Sequence, residues 1–558
     1  MKFFNKNFEI IIAFLLFALI FILKYSVLNL PYSWDAMNYV IPAANYIYEK
    51  GFTIFLWEYS NGHPPFYFIL LGFIFKVFGN SQFIAHLITV IFSFLAVYFT
   101  YLTGKHLFNR KVGIIASLLM FFYPTFFSYS GMAYLAIPLT ALTIMSLYFF
   151  IKKNNILYII ISSCLVLTEE RAIMVPSALL FYKIFKNKKF NLKKDFIFLI
   201  PLLVFGLWLV SNKLYYGHFV YPLNASLLSF NIIPILFNAI IIMKNFFFDY
   251  YKWVLTSFIV LSCFSFKLFK NKIRFIYSFI LSLLFFILIF NLNELSVYFS
   301  KYFPNINNYF FILKEFSLLF TILFFIFLLS FERFVNFWSN KNFYVFYFVF
   351  IFAFFSYIIF IPFPLRYGLP IYPIIFLLFS VSLVKIFKKY SYFLLFIVLV
   401  LFVIQWTGDS NLPGFVLESN MEYVDVVKTH QMASHYLEEN YPNSTILVSY
   451  PQSLELKYPY LGYVNKPLKT ISIPPFPGLT SKNFTIYLNP NIYNKTIDLN
   501  SVDIAYYSKQ QFENKYSREL YEILDKILIK RFELNGKTVE IYKINKGDKY
   551  SNYSLPLD

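Results

Sequence analysis

The sequence predicts a polytopic α-helical membrane protein of about thirteen transmembrane helices, followed by a mixed α/β domain. Of its 558 residues, 59% are hydrophobic and 14% are charged, and the mean hydropathy is +0.62. So few charges cannot cover the surface of a water-soluble protein of this length. Apolar stretches long enough to cross a bilayer as helices recur up to residue 407, whereas residues 408–558 have the composition of a soluble domain.

The first predicted span covers residues 10–28. It follows a short basic start and has no small-residue cleavage site, so we interpret it as a retained anchor. Hydrophobicity and length predict twelve further spans, near residues 83–103, 112–129, 132–151, 155–170, 172–187, 195–212, 251–268, 273–293, 309–331, 342–363, 367–387 and 391–407.

The position of the charges predicts the topology. The formal charge is +20, and Lys and Arg concentrate in alternate loops, as the positive-inside rule requires if the N-terminus is cytoplasmic. An odd number of spans then places residues 408–558 outside. That segment holds 16 Lys and Arg against 17 Asp and Glu, so the excess positive charge lies on inner loops that face anionic lipid. We therefore expect a multi-pass plasma-membrane protein with no nucleic-acid partner.

We divide the chain into a membrane domain, residues 1–407, and an extracytoplasmic α/β domain, residues 408–558. In the second domain the sequence predicts a helix over 421–440, strands over 444–449 and 502–507, a helix over 511–530 and a hairpin that turns at Asn535-Gly536. Two outward loops, 29–81 and 212–250, are long and contain Pro, Gly, His and acidic residues. Long loops in a compact protein are usually functional, so we expect the chemistry on this face.

Four short motifs follow one another on the predicted outer face. Residues 32–39 read YSWDAMNY and residues 61–67 read NGHPPFY, both in the first long loop. Residues 212–222 read NKLYYGHFVYP, and residues 366–373 read RYGLPIYP at the start of a late span. This arrangement resembles the GT-C superfamily of polytopic glycosyltransferases, in the branch of protein O-mannosyltransferases and lipid A aminoarabinose transferases. The chain departs from the pattern where many relatives have two adjacent acids, here Asp35-Ala36, and where they have Lys, here His63.

The resemblance implies a glycosyltransferase that moves one sugar from a dolichyl or undecaprenyl phosphate donor to an acceptor hydroxyl on the outer face. Asp35 is then the base in an inverting mechanism, because a hydroxyl is a weak nucleophile that a carboxylate can activate. The leaving phosphate needs positive charge or hydrogen-bond donors, and the candidates are Arg366, His63, Arg171 and His218. The candidate sugar or lipid contacts are Trp34, Tyr39, Trp57, Tyr59 and Tyr367.

Structural roles compete with these assignments. Asp35 could cap a helix, Arg366 could extend its charge to the membrane interface, and Arg171 could pair with Glu169 or Glu170. A monophosphate donor requires no metal, although Glu58, His63 and His218 could hold a divalent ion. The two cysteines, Cys164 and Cys263, lie in apolar runs and predict neither a disulfide framework nor a cysteine zinc site.

Two other functions stay open. One is an oligosaccharyltransferase with a pyrophosphate-linked donor, which usually recruits a metal through an Asp-x-Asp-like pair absent from the first loop. The other is a flippase or transporter of lipid-linked sugars, which would place polar residues along a path through the spans. The sequence does not specify the sugar or the acceptor, which could be a protein, a glycan or a lipid.

Overall fold

The computed structural model of the protein describes residues 2–187, 195–226, 245–256, 365–407, 420–473, 501–508 and 524–545, with a few isolated positions between these ranges.

The region before residue 407 is helical. Three of its described helical segments, Glu9–Val27, Gln82–Leu107 and Arg366–Lys385, are long and apolar enough to cross a membrane. Four shorter apolar helices accompany them, at Phe66–Phe78, Ala136–Ile151, Asn155–Val166 and Ile200–Tyr216. The other helices in this region include Ile41–Lys50, Trp57–Ser60, Arg110–Phe122, Pro124–Tyr129, Met174–Asn187, Pro222–Ser226, Tyr372–Phe387 and Ser391–Ile404. This is the architecture of a multi-pass membrane protein.

Most predicted spans that fall on described residues coincide with helices. The span predicted over 155–170 ends earlier, at Val166. The span predicted over 112–129 is two helices, because the chain breaks at Tyr123 and Pro124, which has no N–H to donate, begins the second one. The predicted spans 273–293 and 309–331, and most of 251–268 and 342–363, lie outside the described residues. The count of thirteen therefore stays a prediction.

A glycine pair sets the closest contact between two of the membrane helices. Gly104 on Gln82–Leu107 faces Gly113 on Arg110–Phe122. A Cβ built on Gly104 would lie 2.8 Å from the Gly113 Cα, and one on Gly113 would lie 2.5 Å from the Tyr101 carbonyl oxygen. Small residues of this kind let helix backbones approach closely in a membrane, where packing drives association.

The C-terminal region contains a five-stranded mixed sheet. Its strands are β1 (Ile446–Ser449), β2 (Thr470–Ile473), β3 (Ile504–Ser508), β4 (Lys526–Leu534) and β5 (Lys537–Ile544), in the order β2-β1-β3-β5-β4. The first three strands are parallel to one another, and β5 pairs antiparallel with both β3 and β4. Helix Glu422–Asn440 packs on this sheet. Its Ala433 and Leu437 lie in one buried core cluster with Val448 of β1 and Ile541 of β5.

The sequence prediction for this domain needs one correction. The hairpin turn at Asn535-Gly536 is confirmed, and both residues have the positive φ that such a turn requires, 47° and 76°. The helix predicted over 511–530 is wrong from residue 526 onward, where the chain is β4. Strand β5 has eight residues, and its antiparallel partner must be of comparable length to pair with it. Residues 511–520 lie outside the described part.

The C-terminal domain packs directly on the first long loop. The Tyr32 N–H donates to the Leu461 carbonyl at 3.2 Å, the Tyr463 hydroxyl donates to the Tyr32 carbonyl at 3.0 Å, and the Tyr450 hydroxyl donates to Asn38 at 2.6 Å. The loop and the tail therefore lie on the same side of the helical region.

Candidate active site

Four separate segments bring charged side chains into one recess. Asp35 lies at the start of a short π-helix, Ala36–Val40, and His63 lies in the turn before Pro64. Arg171 and Arg366 lie in two 3₁₀ segments, Glu170–Ile173 and Leu365–Ile371. The lining residues are Asp35, Tyr39, His63, Tyr134, Leu135, Ala136, Leu139, Glu169, Arg171, Arg366 and Tyr367.

Asp35 is the centre of a buried polar cluster. Its Oδ2 lies 2.8 Å from an Arg366 guanidinium nitrogen, with both side chains 9% exposed, and accepts a hydrogen bond from the Tyr39 hydroxyl at 2.9 Å. The Tyr134 hydroxyl accepts from the Asp35 backbone N–H at 3.3 Å and lies 3.1 Å from the Ser33 hydroxyl. Burial, and then the charge of Asp35, raise the pKa of Tyr39 well above its usual value, so this hydroxyl stays a donor.

The second cation of the recess is Arg171. It forms a buried ion pair with Glu169, and its guanidinium carbon lies 3.6 Å from the centre of the Tyr367 ring. Tyr367 also stands 5.5 Å from the Arg366 guanidinium. One aromatic ring therefore lies within cation–π distance of both arginines at the recess wall.

His63 reaches the recess because of a tight turn. Asn61 and Gly62 adopt positive φ, 49° and 78°, and a Cβ on Gly62 would lie within 2.1 Å of Tyr221. Only glycine satisfies both conditions. Next to this turn, the Phe66 N–H donates to the Leu167 carbonyl at 2.8 Å, which brings the loop against the segment that carries Glu170.

Glu170 is the hydrogen-bond partner of His63. The His63 Nδ1 lies 2.9 Å from Glu170 Oε2, with the two side chains 16% and 17% exposed. The Asn224 amide donates to Glu170 Oε1 at 3.2 Å and to the Asn61 carbonyl at 3.1 Å. Glu170 lies beyond the end of helix Asn155–Val166. Burial acts to raise the pKa of its carboxyl, but the charge and hydrogen bond of His63 outweigh it, and the pKa is lowered.

The structure brings together six of the ten residues predicted for the site: Asp35, Tyr39, His63, Arg171, Arg366 and Tyr367. The other four lie elsewhere. Trp57 stacks on Tyr216 at 4.2 Å, Tyr59 stacks on Tyr46 at 4.6 Å, and Trp34 meets Tyr450 edge-on at 6.1 Å. His218 is exposed and outside the recess lining.

Sequence reasoning missed Tyr134 and gave Glu170 no site role. Tyr134 had no distinguishing signal among 47 tyrosines. Glu170 adjoined a predicted site residue, Arg171, and that neighbourhood was the available signal. Within the described ranges no group of three or more His, Cys, Asp and Glu side chains has a metal-binding arrangement, so Glu58, His63 and His218 do not come together there.

Residues 62–216 match the family described as dolichyl-phosphate-mannose-protein mannosyltransferase. The fold is similar to the crystal structure of ArnT from Cupriavidus metallidurans in the apo state, with a TM-score of 0.51 and 10% identity over 95% of this chain and 97% of ArnT. The chain has the GT-C fold. The predicted superfamily resemblance is thereby confirmed.

A second crystal structure of the same GT-C protein, ArnT bound to undecaprenyl phosphate, aligns with a TM-score of 0.49 and 11% identity over the same shares of the two chains. No curated protein sequence matches the chain significantly. The family match includes His63, Tyr134, Glu170 and Arg171 and excludes Asp35 and Arg366.

Proposed function

We propose that the protein is an inverting glycosyltransferase that moves a single sugar from a polyprenyl-phosphate donor to an acceptor hydroxyl at the outer membrane face. The observation that carries the proposal is the recess itself, in which a buried carboxylate, Asp35, adjoins two arginines and a histidine. This is the combination that such a transfer needs: a base for the acceptor and positive charge for the leaving phosphate. The family match and the GT-C fold support the reaction class.

Asp35 acts as the general base. Its carboxylate accepts the acceptor's hydroxyl proton while the oxygen attacks the anomeric carbon from the side opposite the phosphate, which inverts the configuration. The bond to the phosphate breaks, and the polyprenyl phosphate leaves as an anion that needs no proton. Tyr39 donates to Asp35 Oδ2 and fixes the direction of the carboxylate.

Arg366 and Arg171 bind the donor phosphate. Guanidinium groups make paired, charge-assisted hydrogen bonds to phosphate oxygens, and the Tyr367 ring lies beside both of them. Because Arg366 is held by Asp35 at 2.8 Å, a phosphate must compete with Asp35 for it. Donor binding therefore weakens the ion pair and releases the base.

We propose that the reaction requires no metal ion, because a monophosphate donor carries less negative charge than a pyrophosphate and the recess has its own cations.

We also propose that the protein lies in the plasma membrane with about thirteen spans, a cytoplasmic N-terminus and an extracytoplasmic domain over residues 408–558. The contacts of Tyr450 and Tyr463 with the first loop support a shared side for the recess and this domain. The transferred sugar is a hexose or a pentose, and the aromatic residues that line the recess do not distinguish the two.

Cells that lack the protein provide the test. We expect one class of glycan to be absent, the polyprenyl-linked donor to accumulate on the outer leaflet, and wild-type protein but not the Asp35→Asn variant to restore the glycan. Donor that accumulates on the inner leaflet would instead indicate a flippase. An unchanged glycan profile with unchanged donor would refute the assignment.

A further inference from the structure

A second cluster of polar side chains lies in the C-terminal domain, apart from the residues that line the recess. Helix Glu422–Asn440 carries His430, the short helix Gln452–Lys457 carries Glu455, and strand β3 ends at Ser508. The His430 Nδ1 lies 3.0 and 3.1 Å from the two carboxylate oxygens of Glu455. The His430 Nε2 lies 3.0 Å from the Ser508 hydroxyl oxygen. A carboxylate, an imidazole and a hydroxyl are thus joined in that order.

The two partners of His430 determine which ring nitrogen carries the proton. An ionised carboxylate only accepts hydrogen bonds, so the Nδ1 that faces Glu455 carries the hydrogen. Nε2 then has a lone pair, which accepts a hydrogen bond from the Ser508 hydroxyl. A histidine in this tautomer can take the proton of the serine while the serine oxygen attacks an electrophile. The contacts therefore have the order and the distances of a Ser-His-Glu triad.

The base of this triad is enclosed, whereas its nucleophile is not. The side chains of His430 and Glu455 are each 2% exposed, and the Tyr506 ring meets the imidazole edge-on at 6.0 Å. Ser508 is half-buried. A buried pair of this kind is rarely more stabilising than apolar residues of the same size, so stability alone gives little reason for it. The imidazole is held in place beside a hydroxyl that remains accessible.

The position of Ser508 in the sheet also favours a binding site. Ser508 is the last residue of β3, at the carboxyl edge of the three parallel strands. Ligands of sheets with parallel strands bind beyond this edge. Tyr450 directly follows β1 at the same edge, and its hydroxyl donates to Asn38 in the first long loop. Ser508 therefore lies on the edge of the domain that faces this loop.

We propose that Ser508, His430 and Glu455 form a second active site, which hydrolyses a carboxylic ester. The Ser508 oxygen attacks the carbonyl carbon, and its proton passes to His430 Nε2. The bond from that carbon to the leaving oxygen breaks, and His430 gives the proton to the departing alcohol. Water then attacks the acyl-serine in the same way, which releases the acid and restores the hydroxyl. Glu455 is a positioning residue that orients the imidazole. The site acts independently of the proposed sugar transfer.

The experiment treats the full-length protein in nanodiscs with a fluorophosphonate probe. An activated serine forms an oxygen–phosphorus bond with this probe and expels fluoride, while the histidine takes the proton. We expect one adduct, located on Ser508 by mass spectrometry of the digested protein, and hydrolysis of p-nitrophenyl acetate by the unlabelled protein. Heat-denatured protein should give neither result, because the triad exists only in the folded domain.

A matched pair of serine variants assigns the activity. Ser508→Ala should abolish both the adduct and ester hydrolysis. Ser444→Ala should keep both, because Ser444 is also half-buried but precedes β1, at the opposite edge of the parallel strands. Loss of both activities in Ser444→Ala, or an adduct on a serine other than Ser508, would overturn the inference.

Variants of the other two members separate catalysis from folding. His430→Gln removes the base, so the labelling rate should fall at least about 100-fold. Glu455→Gln should slow labelling by a similar factor, because its amide can donate to Nδ1 and favour the wrong tautomer. Glu455→Asp keeps the carboxylate and should recover part of the rate. The midpoint of thermal unfolding is measured for each variant.

Two results would show that the cluster only supports the fold. One is a folded wild type with neither an adduct on Ser508 nor ester hydrolysis. The other is labelling of Ser508 at the wild-type rate in His430→Gln. If both glutamine variants unfold, the adduct on wild-type Ser508 and the partial rate of Glu455→Asp decide the question.

Discussion

Arg366 and Asp35 form a buried ion pair across the recess, with 2.8 Å between the guanidinium nitrogen and Oδ2. A buried ion pair can stabilise the folded protein only while both partners are present, because burying either charge alone is costly. The proposed function gives these two groups opposite tasks, one toward the acceptor hydroxyl and one toward the donor phosphate. Under that proposal we expect the ion pair to be the resting state and substrate binding to replace it.

The first prediction concerns Asp35→Asn. We expect sugar transfer to fall by at least about 100-fold, the lower end of a general base's contribution. We also expect the variant to bind undecaprenyl phosphate more tightly than the wild type, by about tenfold, because Arg366 no longer has to leave a carboxylate. Transfer assays and binding in nanodiscs measure the two effects separately.

Asp35→Asn leaves Arg366 as a buried cation without its anion, which lowers thermal stability in the absence of ligand. Undecaprenyl phosphate should restore the midpoint of unfolding by more in this variant than in the wild type. Weaker phosphate binding by Asp35→Asn would contradict the competition between the carboxylate and the phosphate.

The second prediction concerns Arg366→Lys. Lysine keeps the charge but cannot make the paired hydrogen bonds of a guanidinium, so we expect kcat/KM to fall about 10- to 100-fold. Arg366→Ala should lose more and should also be less stable, because Asp35 is then buried without a cation. Arg110 provides the control, because it is half-buried, lies outside the recess lining and stands 3.7 Å from Glu9: Arg110→Lys should leave kcat/KM unchanged. Equal kinetics for Arg366→Lys and the wild type would exclude a bidentate role.

The third prediction concerns Tyr39→Phe. The change removes the hydrogen bond to Asp35 Oδ2, so the carboxylate loses one of its two fixed partners and kcat should fall about tenfold, as expected for a hydrogen bond to a charged group. The pKa of Tyr39 is raised, so its hydroxyl stays protonated above the usual tyrosine value of about 10. The loss should thus be the same factor at every pH between about 6 and 9. A ratio to wild type that changes with pH in this range would show that Tyr39 ionises.

The sequence predicted the parts of the site that its motifs contained. The position of Asp35 beyond the first helix and the RYGLPIYP run identified the two partners of the ion pair, although 331 positions separate them. No pattern in the sequence predicted that the two would touch, since the contact depends on how loop and late helix pack. The His63–Glu170 contact is of the same kind, because it depends on the Phe66–Leu167 backbone bond between two loops.

The fold was predictable where the length of an apolar segment or the residues of a turn determine the structure. The membrane helices and the Asn535-Gly536 hairpin follow from those signals. The second half of strand β4, RFEL, was predicted as an arm of this hairpin. Its first half, residues 526–530, was predicted as helix, because the sequence KILIK mixes apolar and basic residues and is exposed or half-buried along its length. Its register with β5 fixes its conformation, and the length of β5 was the sequence signal that could have indicated it.

The fourth prediction concerns the glycine crossing. Gly113→Ala places a methyl group 2.5 Å from the Tyr101 carbonyl oxygen, too close for any real contact. The two helices must separate, which should cost about 1–3 kcal/mol and lower the midpoint of thermal unfolding of the protein in detergent.

Gly206→Ala is the matched control, because Gly206 also lies in an apolar helix but a Cβ there meets nothing within 4 Å. That variant should be as stable as the wild type or slightly more stable, since alanine favours helix by about 1 kcal/mol over glycine. Equal midpoints for Gly113→Ala and Gly206→Ala would show that the two helices do not meet at these glycines.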